Sequence, residues 1–401
     1  MEEKTIPIKG NNSEIYKIIK SKKKFGLNKK SKRNKNAKVK MIKKERNPGI
    51  DLLRILGMYA IVVHHIIYFG NLINKYKQYP QIYFTNLLCF WHISVFGMIS
   101  GFVGHNTHKY SNLFYLWFWA LFYSVGIHII YKKYNPYIIT KNNIYECFMP
   151  VFSEQYWYFT QYFGMYLFLP LINKGLSIVG KKELKLIVLS LILVFIILRD
   201  YALPDKDLFR FTSGYSVIGL LLLYIIGAYL GKYVISSNRS SFLFIFYIII
   251  YFSSSYLTYY LEYYRGKKSY LKIVIKLKLL FKVRINSIAM ILQGISLMLF
   301  FSQIKYNKFL AKVISFIGPL TFGVYLSASH KYMFKYELPK LLRKYSSNLP
   351  LDNVIYLILI KGIQISLVCL FIDYLRLVLF KIFQIRRICI FIEKLINFIV
   401  C

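Results

Sequence analysis

Residues 49–70 read GIDLLRILGMYAIVVHHIIYFG. As a helix rising about 1.5 Å per residue, a stretch of this length covers roughly 33 Å, enough to cross about 30 Å of hydrocarbon. The apolar run is unbroken and lacks the inside–outside alternation of a membrane β-strand, so it is predicted to be a transmembrane helix. Four ionisable residues interrupt it: Asp51, Arg54, His64 and His65. Such groups cost at least about 2.5–3.5 kcal/mol near the bilayer centre, so each needs a partner or a task. From Arg54 to His65 the helix turns about 1100°, roughly 20° over three full turns, which puts both on one stripe about 16 Å apart. Asp51 lies within about 60° of Arg54, whereas His64 falls about 80° from it and faces a different neighbour. The spacing leaves two readings open. Either the stripe is functional, or Asp51 and Arg54 form an ion pair at the headgroups while His65 satisfies a nearby carbonyl.

The rest of the chain repeats the first helix's character. Its 401 residues are 56% hydrophobic and 18% aromatic, with a mean hydropathy of +0.43, which excludes an ordinary water-soluble enzyme. Spans are expected near 49–69, 83–103, 112–131, 156–173, 184–200, 213–231, 241–261, 285–303, 313–331 and 353–375. The predicted fold is therefore all-α, a polytopic membrane bundle of about ten helices. Residues 1–47 differ, with 17 Lys/Arg against 4 Asp/Glu, and are expected to be a disordered basic tail at an anionic cytoplasmic leaflet. The membrane domain is expected over 48–380, followed at 381–401 by an amphipathic helix lying on the membrane surface.

The net charge of +39 would suggest nucleic acid in a soluble protein. Here the basic residues are assigned to cytoplasmic loops and lipid headgroups, and no nucleic-acid partner is expected. With the N-terminus inside, 32 of the 55 Lys/Arg fall on the cytoplasmic side and 21 outside, which favours that orientation. Residues 262–284, with eight basic residues on the outer side, run against the rule. The five cysteines show no metal or disulfide spacing, and no metal site is expected. Gly97/Gly101 and Gly227/Gly231 are small-xxx-small packing signals. Asp373 and Arg376 read as an ion pair at the inner end of the last span, and His92 as a hydrogen-bonded core histidine.

Arginine, ten residues, then histidine after a membrane-entering GIDLLR resembles the first-helix motif of the integral membrane acyltransferase family 3. FGMISGFVG from Phe96, QYWYFTQYFGMYLFLPLIN from Gln155, GYSVIGLLLLYIIGAYLGKY from Gly214 and TFGVYLSASH from Thr321 are similar to further signatures of that family, in the same order. The resemblance runs from about Asn47 to Arg376, and the chain closely resembles the bacterial branch acting on surface polysaccharides.

It implies a ten-helix enzyme that takes an acyl group, usually acetyl, from acyl-CoA and passes it to a carbohydrate hydroxyl. By that analogy His65 is the catalytic histidine and Arg54 its partner, which also contributes to binding the donor. An imidazole is suited to removing a proton from a sugar hydroxyl, and a guanidinium to binding phosphate or developing negative charge. The expected setting is a multi-pass protein of the plasma membrane, in contact with lipid. Two departures stand out. The inner loop after the second span, GHNTHKYSN, lacks the family's arginine pair, which leaves Lys109 as the donor-phosphate candidate, with Lys174, Lys181 and Lys182 beyond it. The late histidine, His330, stands two positions, about 200° of helix, beyond the family's place.

For the acceptor, Glu154 is the best-placed carboxylate, and Tyr156, Trp157, Tyr158 and Tyr162 are expected to line a sugar-binding mouth; interfacial anchoring is the plainer reading of those aromatics. A transporter or flippase of a glycan or lipid-linked sugar is the alternative, because buried His, Arg and Asp also serve proton relays. That class favours Pro/Gly-broken spans matched in two halves, and no such symmetry is visible.

Overall fold

The computed structural model describes residues 46–400 apart from 77–78, 106–107, 136, 138–140, 203–210, 236–240, 264–280, 282 and 344–349. The basic tail up to residue 45 and most of the 262–284 stretch lie outside the described residues. Among those described, all regular structure is helical. The main helices are α1 (Pro48–Phe69), α2 (Pro80–Cys89), α3 (His92–Gly104), α4 (Tyr110–Tyr134), α5 (Trp157–Ile178), α6 (Lys181–Ile192), α7 (Val217–Tyr229), α8 (Ser241–Tyr263), α9 (Ile288–Gln303), α10 (Lys308–Ala328), α11 (Leu351–Ile382) and α12 (Ile385–Val400).

Helices stand at all ten expected positions. Among the described residues, seven segments are long and apolar enough to cross a membrane, α2 and α3 counting together; α9, at 16 residues, is shorter. The protein is thus an integral, multi-pass membrane bundle. Large apolar side chains left exposed on α11, such as Leu367, Val368 and Phe371, suit a surface solvated by hydrocarbon.

Local chemistry fixes the start of α1. The Asn47 side chain accepts hydrogen bonds from the backbone N–H of Gly49 and Ile50, and Pro48 occupies the first turn, where no N–H is needed. The Asn47 amide also donates to the Ser302 carbonyl at 2.9 Å, tying α1 to the end of α9.

Both glycine pairs act as the sequence suggests, and on each other. A Cβ on Gly101 of α3 would overlap the Tyr224 carbonyl of α7, and one on Gly227 of α7 would overlap the Met98 carbonyl of α3. Gly97 likewise faces Leu223, and Gly231 faces Phe102. The two backbones therefore cross in contact, the geometry small residues permit where apolar burial offers little drive.

The interior holds two main apolar clusters. One gathers side chains of α3, α5, α7 and α9, the other those of α4, α10 and α11. Helix α1 contributes Ile50, Leu53 and Ala60 to the first and Met58, Ile61 and Val62 to the second. Tyr158, Tyr162 and Phe163 of α5 pack against both. The seam between the clusters is thus walled by α1 and α5, the two helices that carry most of the candidate site residues.

Asp373 and Arg376 form the ion pair that the sequence suggests. They lie fully buried between α4, α10 and α11, and Asp373 is nine residues, about 14 Å, short of the end of its helix. Arg376 binds Asp373 through two nitrogens at 2.7 and 3.1 Å. Trp119 Nε1 and the Tyr123 hydroxyl donate to the same carboxylate at 2.8 and 2.9 Å, and the guanidinium lies 3.6 Å from the Trp119 ring centroid. Spacing along one helix could not disclose the partners on α4 that make burial of this pair tolerable.

Helix α12 follows α11 through a turn in which Gln384 adopts φ of 50°. Arg386 donates to Asn112 Oδ1 at 2.6 Å. Glu393 takes hydrogen bonds from the Ser111 hydroxyl and the backbone N–H groups of Ser111 and Tyr110, the first turn of α4. Phe391, Leu395, Phe398 and Ile399 are exposed along the opposite face.

Candidate active site

Arg54 and His65 project from one uninterrupted helix, α1, so the stripe read from their spacing is present. Arg54 donates to Asp51 Oδ1 at 2.8 Å. Asp51 is 1% exposed and also binds Arg46, through Nε and, at 3.0 Å, through Nη2. Gly318 of α10 closes over this carboxylate: a Cβ there would come within 2.9 Å of the Asp51 Cβ. The ion pair of the plainer reading therefore exists. It does not consume Arg54, whose side chain keeps 24% exposure and lies close enough to the Tyr162 hydroxyl of α5 to interact with it.

Tyr162 belongs to a stripe on α5. Tyr158, Tyr162 and Tyr166 recur every four residues, with ring centroids 6.5 and 5.9 Å apart, along about 12 Å of helix. The Ser100 hydroxyl of α3, itself bonded to the Phe96 carbonyl at 2.9 Å, stands within reach of the Tyr158 and Tyr162 hydroxyls. At the far end the Tyr166 hydroxyl donates to the Lys109 carbonyl at 2.9 Å, and the His108 ring lies 4.6 Å from that of Tyr166. The seam is thus lined with hydroxyls from the Lys109 end, past Arg54, toward Tyr158.

His65 sits at the other end, its ring edge-on to Phe69 at 5.1 Å. The Ala328 carbonyl at the end of α10 is within hydrogen-bonding reach of the imidazole, while Nδ1 is buried without a partner. If Nε2 carries the proton that Ala328 accepts, Nδ1 presents a free lone pair. His64 is engaged elsewhere, as its 80° offset implied: its Nδ1 lies 2.7 Å from Asn86 Oδ1 of α2. His92 Nδ1 bonds the Cys89 carbonyl at 2.7 Å, a satisfied core histidine.

The remaining candidates separate. Tyr156 and Tyr158 converge on Tyr325 of α10, with centroids 6.1 and 6.0 Å from it. Trp157 turns away toward Tyr215 at 4.7 Å. Glu154 is exposed, with a left-handed backbone at φ 51°. Lys109 is exposed at the opposite end of the bundle from His65, the end shared by Lys174, Lys181 and Lys182, which are also exposed. His330 is locked by two bonds, accepting from the Tyr332 N–H at 3.2 Å and reaching the Ser124 carbonyl. Among the described residues no cluster of three or more His, Cys, Asp or Glu is suited to a metal.

Sequence reasoning missed Ser100, Tyr166 and Glu393, and took Tyr162 only as one of the sugar-binding aromatics. The four-residue repeat of tyrosines was a signal for the stripe; the other two depend on which helices become neighbours.

Pairwise comparison gives no further guide, since no curated protein and no solved structure matches the chain. A family model described as an acyltransferase domain matches residues 47–363, which take in α1 with Arg54 and His65, the tyrosine stripe of α5 and the whole of α10. With most of its length matched, and with the membrane bundle described above, the chain belongs to the acyltransferase 3 family of membrane acyltransferases.

Proposed function

We propose that the protein transfers an acyl group, in the simplest case acetyl, from acyl-CoA to a hydroxyl of a cell-surface or lipid-linked carbohydrate, in the plasma membrane and with its N-terminus cytoplasmic. The observation that carries this reading is the division of labour along α1: a partly exposed guanidinium toward one end and an imidazole with an unpartnered nitrogen about 16 Å further on.

At the Lys109 end, the ammonium groups of Lys109, Lys174, Lys181 and Lys182 suit the phosphates of the donor, with Arg54 deeper. The hydroxyls of Tyr166, Tyr162, Ser100 and Tyr158 offer a polar lining along which the donor's arm and thioester reach His65. His65 Nδ1 then takes the proton of the acceptor hydroxyl as its oxygen attacks the thioester carbonyl. The acyl C–S bond breaks, an ester C–O bond forms, and the proton passes from the imidazole to the CoA thiolate. Tyr156 and Tyr158 lie on the acceptor side. Trp157, which packs on Tyr215, and Glu154, which is exposed, are rim residues only.

The test supplies labelled acetyl-CoA to membranes containing wild type, His65→Ala or His64→Ala, with a broad range of glycan acceptors. Transfer that is lost in the first variant and retained in the second supports the reading. Wild-type protein that moves no label from any acyl-CoA overturns it.

A further inference from the structure

Helix α12 is amphipathic, yet it meets the bundle through its polar side and leaves its apolar side bare. Arg386 donates to Asn112 Oδ1 at 2.6 Å and to the Ser111 carbonyl at 3.4 Å, and its guanidinium lies 5.5 Å from the Tyr115 ring centroid. Seven residues on, about 20° short of two full turns, Glu393 takes the hydrogen bonds from Ser111 and Tyr110. Measured around the helix from Arg386, Phe391, Leu395, Phe398 and Ile399 fall at about 120–220°, and all four are exposed. Arg387 and Lys394 fall at about 80–100°, on the border between the docked side and the apolar side, and both are exposed. Arg387 donates to the neutral Gln384 side chain at 2.8 Å, a contact that does not balance its charge.

Each side asks for a different environment. A bare apolar face is rewarded by hydrocarbon, and the exposed apolar residues of α11 continue through Ile382 and Phe383 to this helix. The basic border lies where a helix in the interface meets headgroups, and its two positive charges match lipids of net negative charge. The docked side bears on the donor end of the seam. Helix α4 starts after Lys109, whose own side chain gives it no cap. The first N–H groups of an α-helix have no partner within it, and here Glu393 supplies the acceptor from another helix. Because the Lys109 carbonyl accepts from Tyr166, this residue is held between the tyrosine stripe and the turn that α12 supports.

We infer that α12 is a docking surface for anionic lipid headgroups, with its apolar face in the acyl layer, and that this contact holds the first turn of α4, and with it Lys109, in place at the donor end. The consequence for the donor rests on the acyltransfer reading; the lipid contact rests on the three sides of α12 alone. Arg387 and Lys394 are the lipid-binding residues, and Arg386 and Glu393 are positioning residues that act through α4.

The full chain is placed in nanodiscs of phosphatidylcholine alone or of an equal mixture with phosphatidylglycerol, and amide hydrogen exchange is followed across residues 110–113 and α12. The expected result is exchange about tenfold slower in the mixture, the scale that two basic residues near an anionic surface supply, and no lipid dependence in the Arg387→Gln/Lys394→Gln double variant. In labelled-acetyl assays the wild-type KM for acetyl-CoA falls several-fold in the mixture, and that of the variant does not. A negative surface repels the anionic donor and by itself raises KM, so a fall reports the ordered end of α4.

The inference is overturned if exchange is the same in both lipids, or if the lipid effect survives in the double variant, which assigns it to the 17 Lys/Arg of residues 1–47. Lipid-dependent exchange with an unchanged or raised wild-type KM overturns the coupling to the donor end. Leu395→Gln/Phe398→Gln removes the apolar seat and is expected to speed exchange of α12 in both lipids; unaltered exchange means that this face is not in the acyl layer, and also overturns the inference. Exchange needs no acyl-CoA, so failure of acyl transfer is read separately from failure of lipid docking.

Discussion

Arg54 and Asp51 are joined at 2.8 Å, one turn apart, and Gly318 presses on the carboxylate from the neighbouring helix. The contact fixes the guanidinium while leaving it 24% exposed. Replacing Asp51 by Asn leaves Arg46 and Arg54 without a counter-charge. The expected loss is about 2–3 kcal/mol, less than for a fully buried pair because both arginines retain solvent. Gly318→Ala pushes the same carboxylate aside without removing it, so acyl transfer is expected to fall more than stability does. Unfolding midpoints and initial rates on the two variants check this.

The crossing of α3 and α7 makes a steric prediction. Gly101→Ala and Gly227→Ala each place a methyl group on the opposing backbone, and each is expected to destabilise by about 1–3 kcal/mol. Gly126→Ala serves as the control, because a Cβ there meets nothing within 4 Å. Denaturation in detergent micelles, with all three variants compared at one detergent concentration, reads the difference.

The Asp373 network predicts strong coupling. Arg376→Met leaves a buried carboxylate with two neutral donors, and a cost of about 3–5 kcal/mol is expected. Adding Asp373→Leu removes the stranded charge and should restore much of that loss. A double-mutant cycle on the unfolding midpoint measures it; additive losses would contradict the network.

Outside the spans, partial burial beside Tyr110 and Tyr166 lowers the pKa of His108 from its ordinary value, against an opposing pull from Glu393. The folded state therefore prefers the neutral ring, and the unfolded chain takes up the proton first. Stability is full above about pH 6.5 and falls as the pH drops through that value toward the lower folded pKa. The midpoint is expected to fall between pH 7 and 5, and to fall less in His108→Phe.

At the first turn of α4, burial pushes the Glu393 carboxyl up, but the hydrogen bonds from Ser111 and Tyr110 outweigh it and leave the group below its usual range. Its contribution is present above the ordinary glutamate value and is lost on acidification through the folded one. Glu393→Ala is expected to cost about 0.5–2 kcal/mol, the usual range for a lost helix cap, as read by thermal unfolding at neutral pH.

Much of the fold was legible because a membrane span is written locally: about twenty apolar residues need no knowledge of their neighbours. The glycine pairs and the Arg54–His65 stripe were legible for the same reason, since spacing within one helix fixes a shared face. What the sequence concealed depends on which helices meet. Asp373 and Arg376 read as an ion pair complete in itself until Trp119 and Tyr123 appeared across from them. Ser100 was an ordinary serine until α5 lay against α3, and Glu393 one acid in a basic segment until α4 began beside it. Trp157 stands between Tyr156 and Tyr158 in sequence, but its ring packs on Tyr215 while theirs meet Tyr325.

The pairing of Asp373 with Arg376 also bears on assembly. The two residues are three apart on one helix and bind through one guanidinium edge, Nε and Nη2, so Asp373 meets its counter-charge within its own span. The pair itself can therefore enter the bilayer without net charge. Trp119 and Tyr123, made some 250 residues earlier and already threaded, then supply the remaining hydrogen bonds when the helices dock. The buried carboxylate thereby ties the last span to α4, joining segments some 250 residues apart in the chain.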